Sequence, residues 1–253
     1  MPKILLFDLE TSPAFGTFWP SNIWKANVLK VHQDWFILMA GYKWLGDKTT
    51  KIVSMYDYDL FDKDPTDDYA VCEVMHNLFD EADVVIAHNG DKFDIPRLNA
   101  RMIQQGFSPP SPAKTIDTLK IAKNKFAFTQ NSLGELGQAL GLGKKLSTGG
   151  YQLWEDCMDG CPKAWNKMSK YCKQDVDLLE KVYLTLRPWD DRHPNLAVFE
   201  GGFQCPTCNS KDIQQRGYRT TNTCTYKQFM CKSCGRFSRK RLSEKTKPKP
   251  ELR

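Results

Sequence analysis

Lys3-Ile4-Leu5-Leu6-Phe7-Asp8-Leu9-Glu10-Thr11 opens the chain with a short apolar run that stops at two acids. Five residues of this kind bounded by polar ones read as a buried strand. Side chains alternate along a strand, so Asp8 and Glu10, two apart, point to the same face at its carboxyl end. An acid that ends a strand is commonly a solvated turn residue, and the pair alone assigns nothing. The next segment carries Phe15, Phe18, Trp19 and Trp24 among Pro, Gly and Ser, and reads as an irregular aromatic insertion. Trp35–Tyr42 and Lys51–Tyr56, separated by Gly46-Asp47, read as a hairpin. Asp67–Asp80 has helical periodicity through Val71, Val74, Leu78 and Phe79. A second apolar run, Asp83–Ala87, reads as a strand. Phe93–Gln105 then reads as a helix, Lys114–Thr118 as a strand, Ser132–Leu140 as a helix capped by Ser132 with Glu135 in the capping-box position, and Pro162–Leu186 as the last long helix. Early strands followed by alternating helices and strands predict an α/β fold with a mixed sheet.

Two further stretches bear on that first pair of acids. After the Asp83–Ala87 strand comes His88-Asn89-Gly90-Asp91-Lys92-Phe93-Asp94-Ile95-Pro96, which delivers Asn89 and then Asp94 at the start of a helix. Ligand sites in α/β sheets lie beyond the carboxyl ends of strands, although Asp94 reads equally as a first-turn acid that suits the helix dipole. In the last helix Trp165, Met168, Cys172, Val176, Leu179, Tyr183 and Leu186 form one apolar stripe. At about 100° per residue Asp175 lies roughly 60° from the line through Cys172, half-buried beside the core. Asp177 is expected to face solvent. Tyr171 sits one turn before Asp175 on the same flank. A half-buried carboxylate is costly unless it is paired or binds a metal.

The order Phe7-Asp8-Leu9-Glu10-Thr11, Asn89-x3-Phe93-Asp94, Tyr171-x3-Asp175 resembles the tyrosine-containing (DEDDy) branch of the 3′-5′ exonucleases, the DnaQ-like group of the ribonuclease H-like superfamily. It resembles in particular the exonucleases associated with family B polymerases and stand-alone phage and bacterial relatives. The resemblance covers residues 1–187 and implies a ribonuclease H-like five-stranded mixed sheet with flanking helices. It implies catalysis by Asp8, Glu10, Asp94, Tyr171 and Asp175, with the four acids holding two catalytic Mg²⁺ or Mn²⁺ ions and Tyr171 orienting or helping to deprotonate the attacking water. Thr11, Asn89 and Phe93 match positions that contact the terminal nucleotide. Asp117, in Thr115-Ile116-Asp117-Thr118-Leu119, matches an element beside the site and is not expected to be a ligand. His88 is expected to be structural or to lie on the substrate side. The residue types suit that chemistry: clustered acids hold one another's pKa up unless cations neutralise them, and hard oxygen donors select Mg²⁺ or Mn²⁺. The insertion after Thr11 departs from the family pattern. Its aromatics either stack on unpaired bases or pack the insertion onto the domain, and packing is the favoured expectation because aromatic side chains are mostly buried.

The remainder of the chain has a different character. From Gly201 to Arg253 there are 13 Lys and Arg against 3 Asp and Glu, whereas residues 1–200 hold 23 against 27, so the net +6 divides into +10 and −4. Cys205-x2-Cys208 and Cys231-x2-Cys234 are two knuckles 22 residues apart, slightly longer than the usual spacing; they predict Cys₄ coordination of a structural Zn²⁺ and resemble a zinc ribbon, with redox cysteines as the competing reading. Between them lies β-prone sequence. Cys224 is expected to pack as a small hydrophobe, and Cys157, Cys161 and Cys172 are spaced poorly for a second metal site. Arg216, Arg219, Lys227, Arg236, Arg239, Lys240 and Arg241 suit phosphate contact, with docking to a protein as the competing reading.

The expected organisation is therefore an exonuclease domain over 1–187, a linker over 188–202, a zinc ribbon over 203–242 and a basic disordered tail over 243–253. The expected substrate is the 3′ end of single-stranded DNA or RNA, and the expected role is in replication, proofreading or repair, with a DNA polymerase or other replication protein as partner. The competing readings are a non-catalytic nucleic-acid-binding adaptor and an endonuclease or RNA-processing nuclease using the same site. No run approaches the roughly 18 apolar residues of a membrane helix, and Met1–Glu10 has no basic leader. The expected place is thus the bacterial cytosol or a phage-infected cell, where nine cysteines favour metal ligands or buried thiols over disulfides.

Overall fold

The computed structural model describes residues 2–19, 27–58 and 61–240. Trp24, Arg241 and the 243–253 tail lie outside the described residues. Contacts divide the chain into two units: one comprises Lys3–Lys120 with Phe128–Val182, and the other Ile121–Ala127 with Met1–Pro2 and the chain from Tyr183 onward.

The larger unit is built on a five-stranded sheet. Its strands are β1 (Ile4–Thr11), β4 (Ile37–Trp44), β5 (Lys51–Ser54), β6 (Val84–Ala87) and β7 (Lys114–Asp117), in the order β5-β4-β1-β6-β7. β4 runs antiparallel to β1 and to β5, while β6 is parallel to both β1 and β7. The sheet is mixed as expected, and the carboxyl ends of β1, β6 and β7 share one edge. Central β1 is buried along almost its whole length, which explains why its apolar run does not alternate. Helices α1 (Tyr69–Glu81), α2 (Asp94–Gln104), α4 (Leu133–Ala139), α5 (Gln152–Met158) and α6 (Pro162–Leu186) accompany the sheet. Helix α3 (Thr118–Lys125) follows β7 directly. Neither α3 nor α5 was expected: both are short, eight and seven residues, and lack a readable apolar period. Ser132 caps α4 as anticipated, its hydroxyl accepting from Glu135 N at 3.3 Å.

Two features hold α1, α2 and β4 in place. Phe7 meets Phe79 of α1 edge to face at 5.1 Å between centroids. Asp68, fully buried ahead of α1, accepts from Arg101 Nε at 2.6 Å and Nη2 at 2.8 Å, from Ile37 N at 2.8 Å and from Gln105 Nε2 at 2.9 Å. Every lone pair of that carboxylate is used, which is the condition for burying a charge at all.

Helix α6 buries the whole predicted stripe from Trp165 to Leu186. It seats against β4 where Gly41 stands opposite Asp8. A Cβ at Gly41 would lie 2.8 Å from Cys172 Sγ and 3.0 Å from Val176 Cγ2, so only glycine allows this approach. Asp177 departs from expectation. It does not simply face solvent; it accepts from Thr50 Oγ1 at 2.6 Å and pairs with Lys43 at 3.4 Å.

The segment after β1 is also corrected. It is not irregular: β2 (Phe15–Phe18) and β3 (Val28–Gln33) form an antiparallel hairpin. The expectation that its aromatics pack onto the domain fails for Phe15, Phe18 and Trp19, which are 43%, 47% and 67% exposed.

In the other unit β8 (Ile213–Thr220), β9 (Thr225–Cys231) and β10 (Phe237–Arg239) make an antiparallel sheet in the order β10-β9-β8. Among the described residues no helix is long and apolar enough to cross a membrane.

Candidate functional site

The carboxylates meet at the shared strand edge. Asp8 and Glu10 come from β1, spaced by the strand period. Asp94 opens α2, and its Oδ1 accepts from Leu9 N at 3.2 Å, which ties the start of α2 to the strand between the two acids. Asp175 and Tyr171 come from α6. Glu10, Asp94 and Asp175 are at most 8% exposed. Asp175 is thus wholly buried, where half-burial was expected. The cause is the close seating of α6 at Gly41.

Such crowding shows in the electrostatics. Desolvation, then the charges of Glu10, Asp94 and Asp175, push Asp8 well above the usual carboxylate range. Burial and Asp175 push Glu10 up to about 8. Burial raises Asp94 to about 6, opposed by the Leu9 amide and raised further by Asp117. Asp175 is raised by burial and held back by Lys145 and Tyr171. Burial and Asp175 push the Tyr171 phenol up to about 12.

Lys145, in the loop between α4 and α5, was not singled out from the sequence. Its ammonium lies 2.5 Å from Asp175 Oδ2 and 3.2 Å from Tyr171 Oη. Burial alone would lower its pKa, but Asp175 outweighs this and the net shift is upward. It is one cation among four acids. The other oxygen of Asp175, Oδ1, is buried without a hydrogen-bond partner among the described residues. A buried orphan acceptor beside three more carboxylates is the donor set a hard divalent cation satisfies, so these residues fit Mg²⁺ or Mn²⁺. Asp8 and Glu10 offer oxygens within 4.8 Å of each other and of Cys172 Sγ. Cys172 is a poor ligand for such an ion, because burial and the neighbouring acids push its thiol well above its ordinary value.

The remaining sequence candidates sit around this cluster. Thr11 Oγ1 accepts from Arg97 Nη1 at 2.8 Å, and the Arg97 guanidinium lies 4.1 Å from the centroid of the Phe93 ring. Asn89 has φ +64°, a left-handed conformation fixed by its amide donating to Asp117 Oδ1 at 2.8 Å. Asp117 also accepts from Leu119 N, and keeps one buried oxygen without a partner among the described residues. It therefore braces the loop that carries Asn89 and adds charge near Asp94. His88 is bonded to Thr118 Oγ1 and to Asn131 O, each at 2.9 Å, a bracing position in the fold.

The four cysteines converge in the second unit. Their sulfurs lie within 4.8 Å of one another, with Cys205–Cys234 at 3.7 Å and Cys208–Cys231 at 3.6 Å. A tetrahedral site with Zn–S near 2.3 Å has sulfurs about 3.8 Å apart. The two knuckles repeat one backbone pattern. Asn209 N bonds Cys205 O and Gly235 N bonds Cys231 O, both at 2.9 Å, and Asn209 and Gly235 both adopt positive φ. This cluster is compatible with a zinc ribbon. Of the basic residues nearby, Arg216, Arg219 and Arg239 are exposed, and Arg239 stacks on Tyr226 at 4.1 Å. Arg236 is committed to Pro188 O and Asp191, and so serves packing more than phosphate contact.

A mixed five-stranded sheet with acids at one edge is the architecture of the RNase H superfamily. The chain belongs to that superfamily: the family model RNase_H_2 matches residues 27–187. Among solved structures it is similar to the family B DNA polymerase from the hyperthermophilic archaeon Pyrobaculum calidifontis, with a TM-score of 0.54 and 18% identity over 74% of this chain. It spans a quarter of that polymerase. No curated protein matches the chain.

Proposed function

We propose that the protein is a metal-dependent 3′-5′ exonuclease of the DEDDy type that hydrolyses single-stranded DNA, and RNA where its channel admits it, to nucleoside 5′-monophosphates. The observation that carries this reading is the convergence of Asp8, Glu10, Asp94 and Asp175 at one strand edge, with every pKa raised. Superfamily membership and the sequence resemblance to exonucleases of family B polymerases support it. The four carboxylates would hold two Mg²⁺ or Mn²⁺ ions. When bound, such ions neutralise the cluster, lower the pKa of water and stabilise charge on the attacking and leaving oxygens. The protein's own part is placement. Leu9 N orients Asp94. Tyr171, one turn before Asp175 on α6, would orient the attacking water or help to deprotonate it. Lys145 holds Tyr171 and Asp175 at fixed separation. Thr11, Asn89 and Phe93 would contact the terminal nucleotide.

The region 203–242 would be a Cys₄ zinc ribbon whose exposed Arg216, Arg219 and Arg239 meet nucleic acid, following a linker over 188–202 that separates it from an exonuclease domain over 1–187. The test uses 5′-labelled single-stranded DNA and RNA with Mg²⁺. A descending ladder that Asp8→Ala abolishes supports the reading. Discrete internal cuts identify an endonuclease, and binding without cleavage identifies an adaptor.

A further inference from the structure

The β2–β3 hairpin stands out because nothing in its own unit accounts for its composition. Phe15, Phe18, Trp19, Val28, Leu29 and Val31 are each at least 43% exposed. They come from both strands, and although register shifts between Phe15 and Gly16 and between Thr17 and Phe18 interrupt strict alternation, all six of these apolar side chains are exposed. An isolated two-stranded hairpin is marginal in water, and exposed apolar groups at this density mark a binding surface. The stretch Ser12–Gln33 contains no Asp or Glu but holds Lys25 and Lys30, within a body that is otherwise net acidic. Aromatic rings interleaved with cations and free of acids suit a single strand of nucleic acid, which offers base faces and phosphates together. A protein partner would not require the absence of acids.

Location supports the same occupant. Ser12 clamps the root of the hairpin: its amide donates to Phe36 O and its hydroxyl accepts from Phe36 N, both at 2.9 Å. The hairpin thus leaves the sheet two residues beyond Glu10. Trp35, just past β3, and Phe93 hold the Arg97 guanidinium between them, at 4.8 and 4.1 Å from the ring centroids. The Arg97 guanidinium has one hydrogen bond, to Thr11, and no carboxylate within ion-pair distance among the described residues, although its charge favours the ionised form of nearby Asp94. A guanidinium beside two aromatic rings, with most of its five donors unused among the described residues, is prepared for a phosphate.

We infer that the β2–β3 hairpin and the Arg97 sandwich at its root form a track for single-stranded nucleic acid, Arg97 holding a backbone phosphate beside the carboxylates while Phe15, Phe18 and Trp19 stack on bases further along. The inference rests on the nuclease reading only for which end of the strand lies at the carboxylates.

The test is equilibrium binding of a fluorescein-labelled oligothymidylate of about 12 nucleotides, using the full chain with Asp8→Ala to prevent cleavage. The variants are Phe18→Ala/Trp19→Ala, Arg97→Ala and Arg97→Lys. Loss of each stack is expected to weaken binding about fivefold or more. Arg97→Ala should weaken it and flatten its salt dependence, while Arg97→Lys restores the salt slope but not the full affinity. Duplex of the same sequence should be bound equally by all the hairpin variants. Unchanged oligothymidylate affinity in Phe18→Ala/Trp19→Ala, with thermal stability retained, overturns the track. So does a change from self-associated to monomeric protein with binding intact. If the parent chain fails to cut DNA yet binding depends on the hairpin, the nuclease reading falls and the track stands; hairpin-independent binding by a protein that does cut reverses that outcome.

Discussion

Glu10→Gln should stabilise the Mg²⁺-free protein at alkaline pH and leave it unchanged in acid. Glu10 titrates at about 8 in the fold against an ordinary 4.5. A carboxyl with a raised folded pKa stabilises least when ionised, so the contribution is intact below pH 4.5 and is lost as pH rises toward 8. At 1.36 kcal/mol per unit the full loss is on the order of 5 kcal/mol. Lys145 and Asp175 share the same titration, so roughly 3–5 kcal/mol is the working range. For a unit of this size that is about 10 °C in Tm. The assay is thermal unfolding from pH 5 to 8.5 in buffer dialysed free of Mg²⁺, without a chelator that would strip thiolate-bound metal. Wild type should lose stability across that window and recover it on adding Mg²⁺. Glu10→Gln should show a flatter profile and a smaller response to Mg²⁺. Parallel pH profiles for the two proteins would refute the view that burial and the neighbouring acids penalise the ionised form of Glu10.

Other consequences are measurable alongside. Lys145→Met removes the cation bonded to Asp175, and should destabilise the Mg²⁺-free protein by a few kcal/mol in chemical denaturation while costing much less with Mg²⁺ present. Arg101→Ala strands the buried Asp68 carboxylate and should cost about 3–5 kcal/mol in urea unfolding at either Mg²⁺ concentration, since it is remote in role from the acids. One equivalent of zinc per chain should be released by a thiol-modifying reagent, and Cys208→Ser should abolish it; retained stoichiometric zinc in that variant refutes the Cys₄ assignment. Removing residues 201–253 should weaken binding to DNA and reduce its dependence on salt, measured by anisotropy.

The sequence was most informative where a regular period met a functional residue. Strand alternation put Asp8 and Glu10 on one face, and the 3.6-residue stripe placed Asp175 beside the core, because each rule acts within a single element. Full burial of Asp175 was not readable, since it depends on how near β4 lets α6 approach. Asp177 was misjudged for a related reason: helical phase describes one helix and says nothing of Lys43 and Thr50 arriving from another strand and its loop. Lys145 escaped notice because it sits in a Gly- and Lys-rich loop with no period, and acquires meaning only through tertiary contact with Tyr171 and Asp175. The aromatic insertion was misread because Pro and Gly among aromatics signal irregular chain, and the rule that aromatics are buried is a tendency that a binding surface breaks.

Gly41 has a bearing on ion choice. Opposite Asp8, it lets Cys172 and Val176 approach to distances no Cβ permits. The span between the β1 acids and Asp175 is therefore governed by a position that carries no donor atom and contacts no substrate. A methyl group there would lift α6 and widen the coordination space without altering any ligand. Gly41→Ala should consequently shift the preferred cation from Mg²⁺ toward larger ions such as Mn²⁺ or Ca²⁺, read out as the order in which these ions raise Tm. In this fold, the size of the hole is tuned from beneath the helix, at the sheet.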